Sequence, residues 1–178
     1  MRVITGKYKG RKLIAPAEDT RPTLDRTKET LFNIINPYLH DAVVMDLFAG
    51  SGQLAIESLS RGARRAILCD NSKSAIKAIK ANYEKIDATL ELYEGDYRSF
   101  LRTIGVKADV VFVDPPYSSG YYAEVLDLVD NLDLLTDSGV VVCEHAVELQ
   151  LPSEVGGLCM YDSRKIGSVN FSFYRRGV

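Results

Sequence analysis

Apolar positions along this chain fall into two kinds of run. "AVVMDLF", "RAILCD", "DVVFVD" and "GVVVCEH" are short and nearly unbroken, and each closes at or near a polar residue. Unbroken β-branched and aromatic runs suit strands covered on both faces. Between them the spacing turns helical. "QLAIESLSRG" closes at Gly62, "SKSAIKAIKANYEKI" puts Ala75, Ile76, Ile79, Tyr83 and Ile86 on one face, and "YRSFLRTIG" and "YYAEVLDLVDNLDLL" follow. "TLELYEGD" predicts one further strand. Ahead of the first strand, Leu24, Lys28, Leu31, Ile34 and Ile35 predict a helix that Pro37 closes. The first sixteen residues predict a short hairpin around Gly6 and Gly10, and the tail a second one around Gly167.

Strands separated by helices imply right-handed crossovers and a parallel sheet. The expected fold is α/β, a doubly wound, mostly parallel seven-stranded sheet ending in an antiparallel C-terminal hairpin. Residues 1–38 are expected as a hairpin and helix extension, and residues 39–178 as the main domain. Ligands of such sheets bind beyond the carboxyl ends of the strands. There the chain places Asp46, Asp70, Asp114 and, slightly past its strand, Asp96.

Charge changes this picture more than composition does. At 178 residues, 46% hydrophobic and 26% charged, the chain has the totals of an ordinary globular domain. Its net charge of -2 hides an arm, residues 1–28, carrying +5 on a body carrying -7. Lys7, Lys9, Arg11, Lys12, Arg21 and Arg26 are therefore candidate polyanion contacts, against the alternative of a solvated hairpin. No apolar stretch approaches bilayer length, and the basic start lacks the apolar core of a secretory signal. Cys69, Cys143 and Cys159 are widely spaced and read as thiols of a reducing cytoplasm, with no metal set and a monomer as the default.

Chemistry enters at "DLFAGSGQLA". Gly50 and Gly52 let the chain turn tightly and a ligand approach the backbone, with helix-start amides facing it. Asp70 ends the next strand, where a carboxylate suits a ribose diol. Gly50 to Ala55 also satisfies the looser dinucleotide fingerprint, so the loop alone leaves the cofactor open. Asp46 would repel a pyrophosphate but attract an ammonium group, and Asp96 would accept from an adenine amine. That rim favours S-adenosylmethionine. At "DPPY", Pro115 and Pro116 lack amide protons and hold their carbonyls stiffly beside the Asp114 carboxylate. Two matched acceptors suit the two N–H groups of an exocyclic amine, and Tyr117 offers a ring on which a base stacks. A rigid turn after a buried strand is the plainer alternative.

"DLFAGSG" with "DPPY" resembles the class I amino-methyltransferases, which have a Rossmann-like fold. "GKYKGRKLIAP", "TRPTLDRTKETLFNII" and "ESLSRGA" resemble the bacterial 16S rRNA guanine-N2 methyltransferases of the RsmD type. The resemblance implies methyl transfer from S-adenosylmethionine to the N2 amine of one guanine, at position 966 in the usual rRNA numbering. The substrate would be 16S rRNA or a partly assembled small subunit. By motif, Asp46, Gly50 and Gly52 would line the methionine side, Asp70 the ribose, and Asp96 with Tyr97 the adenine. Phe48, Ser51 and Asn71 complete the expected cofactor contacts. Asp114, Pro115, Pro116 and Tyr117 would hold the guanine, and Arg21, Thr23 and Arg26 lie in the "TRPT" region expected against the pocket. Gln53 and Ala55 depart from the usual small residues of this loop, and Gln53 would narrow the pocket. DPPY is shared with DNA adenine and cytosine methyltransferases, so that activity is an alternative, as is a non-catalytic RNA-binding assembly factor. His145 is expected as a rim histidine without a catalytic role.

Overall fold

Each unbroken apolar run becomes a strand with both faces buried. The computed structural model describes residues 1–17, 24–116 and 120–177. In chain order these hold α1 (Asp25–Ile35), a 3-10 turn (Asn36–Tyr38), β1 (Val43–Asp46), α2 (Gln53–Ser60), β2 (Arg65–Asp70), α3 (Lys73–Tyr83) and β3 (Glu91–Glu94). Then follow α4 (Tyr97–Ile104), β4 (Ala108–Val113), α5 (Gly120–Asn131), β5 (Leu135–Ala146), β6 (Glu154–Val155), β7 (Leu158–Ile166) and β8 (Val169–Arg176). Strand alternation divides the core. Val44, Val110, Phe112, Val140, Val142, Phe171 and Phe173 face the layer of α1, α2 and α3. Met45, Val111, Val113, Val141, Cys143 and Tyr174 face α4 and α5.

The sheet order is β3-β2-β1-β4-β5-β8-β7-β6. The first five strands are parallel, and β8, β7 and β6 run antiparallel to their neighbours. Chain order therefore reverses at β1, and the crevice between the β1 and β4 ends is the topological switch point. The doubly wound, mostly parallel sheet with an antiparallel C-terminal hairpin expected from the sequence is present, with two corrections. Among the described residues the sheet has eight strands rather than seven, because Glu154 and Val155 pair with Cys159 and Leu158 at the edge. β5 begins at Leu135, not Gly139. Its pairing with β4 jumps from Ala108↔Leu135 to Val110↔Val140, and the Thr136 hydroxyl donates to Asp109 Oδ1 across that bulge at 3.0 Å.

The N-terminal hairpin is short, an antiparallel Arg2↔Lys12 pair flanked by amide bonds from Val3 to Arg11, Leu13 to Met1 and Gly10 to Val3. Its Val3, Tyr8 and Leu13 enter the same core cluster as Phe32 and Val44. Polar anchors reinforce this docking. Glu57, fully buried on α2, accepts the Ile4 and Thr5 amides at 2.9 and 3.1 Å. Lys28, equally buried on α1, donates to the Arg2 carbonyl and lies 3.6 Å from Glu57. Gly6 lies so close to α2 that a Cβ there would sit 1.7 Å from the Ser60 carbonyl oxygen, and its φ is +89°.

Candidate active site

At the end of β1 the chain leaves the sheet through Leu47, whose amide donates to the Phe112 carbonyl of β4 at 3.2 Å. This bond keeps the loops after β1 and β4 side by side. Asp46, the last residue of β1, is 1% exposed, and neither carboxylate oxygen has a hydrogen-bond partner among the described residues. The Phe48 and Ala55 amides face it and favour its charge, without reaching bonding geometry. Desolvation dominates, Asp114 and Asp70 add repulsion, and the pKa is pushed up to about 8. A buried carboxylate of this kind is poised to gain a cationic partner.

The glycine loop stands in front of it. Gly50 and Gly52 have φ of +59° and +76°. A Cβ on Gly52 would press the Leu68 side chain at 3.2 Å, whereas one on Gly50 would meet no atom within 4 Å. Gly52 is thus held by packing, and Gly50 leaves open space through which a ligand reaches the backbone. Asp70 shapes the loop from β2, its two oxygens each accepting an amide at 2.9 Å, from Gly50 and Ser72. Each oxygen keeps further acceptor capacity for a diol. Asn71 is exposed next to it. The Ser51 hydroxyl points to Met1 Sδ at 3.3 Å and its carbonyl to Asn82, so both groups are engaged by the protein. Two more buried atoms near the loop lack partners among the described residues, Gln53 Oε1 and the Tyr83 hydroxyl.

A third side is aromatic. The Phe48 ring lies 5.1 Å from Tyr97 and 6.3 Å from Tyr121, and Tyr97 meets Tyr121 edge-on at 5.8 Å. Arg98 covers the Tyr97 ring at 4.6 Å and grips Glu124 with two bonds of 2.5 and 2.8 Å. Glu124 also accepts from the Tyr97 hydroxyl at 2.9 Å. Asp96 caps α4 through the Arg98 amide at 2.8 Å and accepts the Arg98 guanidinium at 3.2 Å. Asp96 and Tyr97 are therefore fixed from α4 and α5. Neither Arg98 nor Glu124 stands out in the sequence, since they are 26 positions apart and no motif joins them.

Asp114 and the buried Pro115 follow β4 directly, two residues beyond the Asp46↔Phe112 pair, with Pro116 exposed. Tyr117, Arg21 and Thr23 lie outside the described residues. Lys7, Lys9, Arg11, Lys12 and Arg26 are all exposed, and Lys7 sits 3.6 Å from Asp87. His145 is 5% exposed rather than at the rim. Its Nε2 meets Ser172 Oγ at 2.8 Å and its Nδ1 the Ala146 carbonyl at 2.9 Å, and burial holds its pKa below the ordinary value. That histidine joins β5 to β8.

A glycine loop, a buried acid behind it and a proline-stiffened loop stand at one switch point. The family model described as conserved hypothetical protein 95 matches residues 1–175. The chain belongs to this family. Ribosomal RNA small subunit methyltransferase D of Escherichia coli (strain K12) is 34% identical over 178 residues, covering 99% of this chain and 90% of the relative. YlbH of Bacillus subtilis (strain 168) is 39% identical over 184 residues, covering 99% of each. The solved structure of yhhF from Escherichia coli has a TM-score of 0.88 at 34% identity, covering 99% of this chain and 97% of that one. The conserved hypothetical protein 95 match spans the N-terminal arm as well as the loops.

Proposed function

We propose that this chain transfers a methyl group from S-adenosylmethionine to the exocyclic N2 amine of a guanine in 16S rRNA, in the cytoplasm. The observation that carries the reading is the buried Asp46, whose carboxylate oxygens have no hydrogen-bond partner among the described residues, behind an open Gly50 and beside an Asp-Pro-Pro loop on the adjacent strand. The name borne by the Escherichia coli relative supports the substrate class.

The residues present fit the cofactor. Asp46 would receive its ammonium group, Gly50 would let the backbone approach, Asp70 has acceptor capacity for the ribose, and Phe48, Tyr97 and Tyr121 offer rings to the adenine. Bound there, S-adenosylmethionine supplies an electrophilic methyl on a sulfonium. The protein's own task is then positional. An aromatic exocyclic amine is a poor nucleophile because its lone pair is delocalised into the ring. The Asp114 carboxylate and a proline-fixed carbonyl each accept one N–H, which favours a tetrahedral nitrogen and directs its lone pair outward. Transfer would break the sulfonium C–S bond, leave S-adenosylhomocysteine and put positive charge on the nitrogen, which Asp114 offsets until one N–H proton passes to water. The basic arm, Lys7, Lys9, Arg11 and Lys12, would hold the RNA backbone.

Incubation with methyl-labelled cofactor and naked 16S rRNA, assembled small subunits or duplex DNA, followed by nucleoside digestion, tests this directly. Label in N2-methylguanosine from rRNA is expected. Label in N6-methyladenine or N4-methylcytosine from DNA overturns the substrate assignment, and absence of label from every substrate favours the assembly-factor alternative.

A further inference from the structure

We propose that Asn82 is a positioning residue that couples the N-terminal arm to the glycine loop, so that docking of the arm sets affinity for the cofactor. Asn82 lies on α3 and is fully buried. Its amide makes three bonds in two directions. Nδ2 donates to the Ser51 carbonyl in the glycine loop at 2.9 Å and to the Ile14 carbonyl in the arm at 2.8 Å. Oδ1 accepts the Ile14 amide at 2.7 Å. One side chain thus closes both polar groups of an arm residue and also holds the carbonyl between Gly50 and Gly52.

The arrangement has little slack. A planar carboxamide cannot rotate to follow Ile14 without withdrawing Nδ2 from Ser51, and a buried carbonyl left without a donor is costly. The loop is braced on the same side by Ile79 and Tyr83 of α3, which lie 3.5 and 3.7 Å from where a Gly52 Cβ would be. A second thread runs in parallel, from Met1 Sδ to the Ser51 hydroxyl. The rest of the arm is anchored elsewhere, on α2 and α1 through Glu57, Ser60 and Lys28, and on the segment after α3 through Lys85 and the Asp87 carbonyl. Asn82, with the Met1 thread beside it, is where a disturbance in the arm reaches the loop. Linkage then requires the converse, that a ligand fixing the loop steadies Ile14. Because the arm is also the candidate RNA contact, substrate and cofactor would favour each other's binding.

The inference rests on the methyl-transfer reading in taking the glycine loop as the cofactor's seat. The test uses the full chain and S-adenosylhomocysteine, with affinities from titration calorimetry for the wild type, Asn82→Ala, Ile14→Pro and the double variant. Ile14→Pro removes the arm's donor to Asn82 and leaves the loop untouched. It should weaken binding about fivefold in the wild-type background, the worth of roughly one hydrogen bond, and have no further effect once Asn82 is gone. Additive losses, or an unchanged affinity in Ile14→Pro, overturn the coupling. A wild type that binds no S-adenosylhomocysteine overturns the cofactor reading and the coupling with it. Should Asn82→Ala not fold, hydrogen exchange on the wild type decides. The ligand should slow exchange of the Ile14 amide about fivefold. Exchange at Ile14 that ignores the ligand overturns the proposal.

Discussion

Replacing Asp46 by Asn should make the ligand-free protein more stable at neutral pH while weakening its hold on the cofactor. Burial, with Asp114 and Asp70 nearby, raises the Asp46 pKa from 3.8 to about 8. Between those values the unfolded chain releases the proton and the folded chain keeps it. Stability therefore falls as pH rises through that window and levels off above it. At pH 7 roughly three pK units of penalty have accumulated, about 4 kcal/mol. An Asn that leaves its own amide partnerless gives back about 1–3 kcal/mol of that gain. A net stabilisation of about 1–3 kcal/mol corresponds to a rise in Tm of roughly 2–10 °C for a chain of this size. Thermal unfolding by circular dichroism from pH 5 to pH 8 is the assay. The difference between Asp46→Asn and wild type should grow with pH, while calorimetry shows S-adenosylhomocysteine binding at least about tenfold weaker as the ammonium loses its carboxylate. A difference in Tm that stays flat with pH, or a variant less stable than wild type at pH 8, refutes the reasoning.

Gly50→Ala and Gly52→Ala separate packing from ligand access. Both carry a left-handed strain of about 1 kcal/mol, and Gly52→Ala adds the Leu68 contact, so it should lower Tm further. Gly50→Ala should instead lose cofactor affinity beyond what its stability loss explains, as read by paired melting and calorimetry. Glu57→Gln leaves Lys28 and Arg61, 0% and 5% exposed at their side chains, without their carboxylate. It should lower stability by about 3–5 kcal/mol in chemical denaturation, and a loss under about 1 kcal/mol would show the Glu57 carboxylate to be dispensable. Neutralising Lys7, Lys9, Arg11 and Lys12 together should weaken rRNA binding and flatten its dependence on salt, whereas an unchanged slope would assign the arm to structure alone.

The elements that position the site were legible wherever the signal was local. "RAILCD" marks β2 from Arg65 to Asp70, and the apolar runs ending in Asp46 and Val113 place the two loops that matter. Signals carried by the third dimension were not. β6 is two residues long and has no period to read, and the start of β5 hides among Thr136, Asp137 and Ser138, which a bulge draws into the strand. Asp96, expected to accept from an adenine amine, also caps α4 and pairs with Arg98, two ties that no motif displays. His145 looked like a rim residue because its burial depends on Ser172 and Asn170 of β8, some 25 positions away. Glu57 opens the "ESLSRGA" segment, but nothing in that segment says what the acid holds, and Asn82 carried no signal, for an amide on a helix usually faces water. Only the docked arm reveals what they hold.

Asp114→Ala is the most direct test of an exocyclic amine held at the switch point beside the methyl donor. S-adenosylhomocysteine affinity and methyl transfer to 16S rRNA should be measured on the same preparation. Removing the Asp114 charge relieves repulsion on Asp46, so ligand affinity should hold or tighten slightly while transfer is abolished. Transfer that persists near the wild-type rate, or a large loss of affinity, would contradict the account.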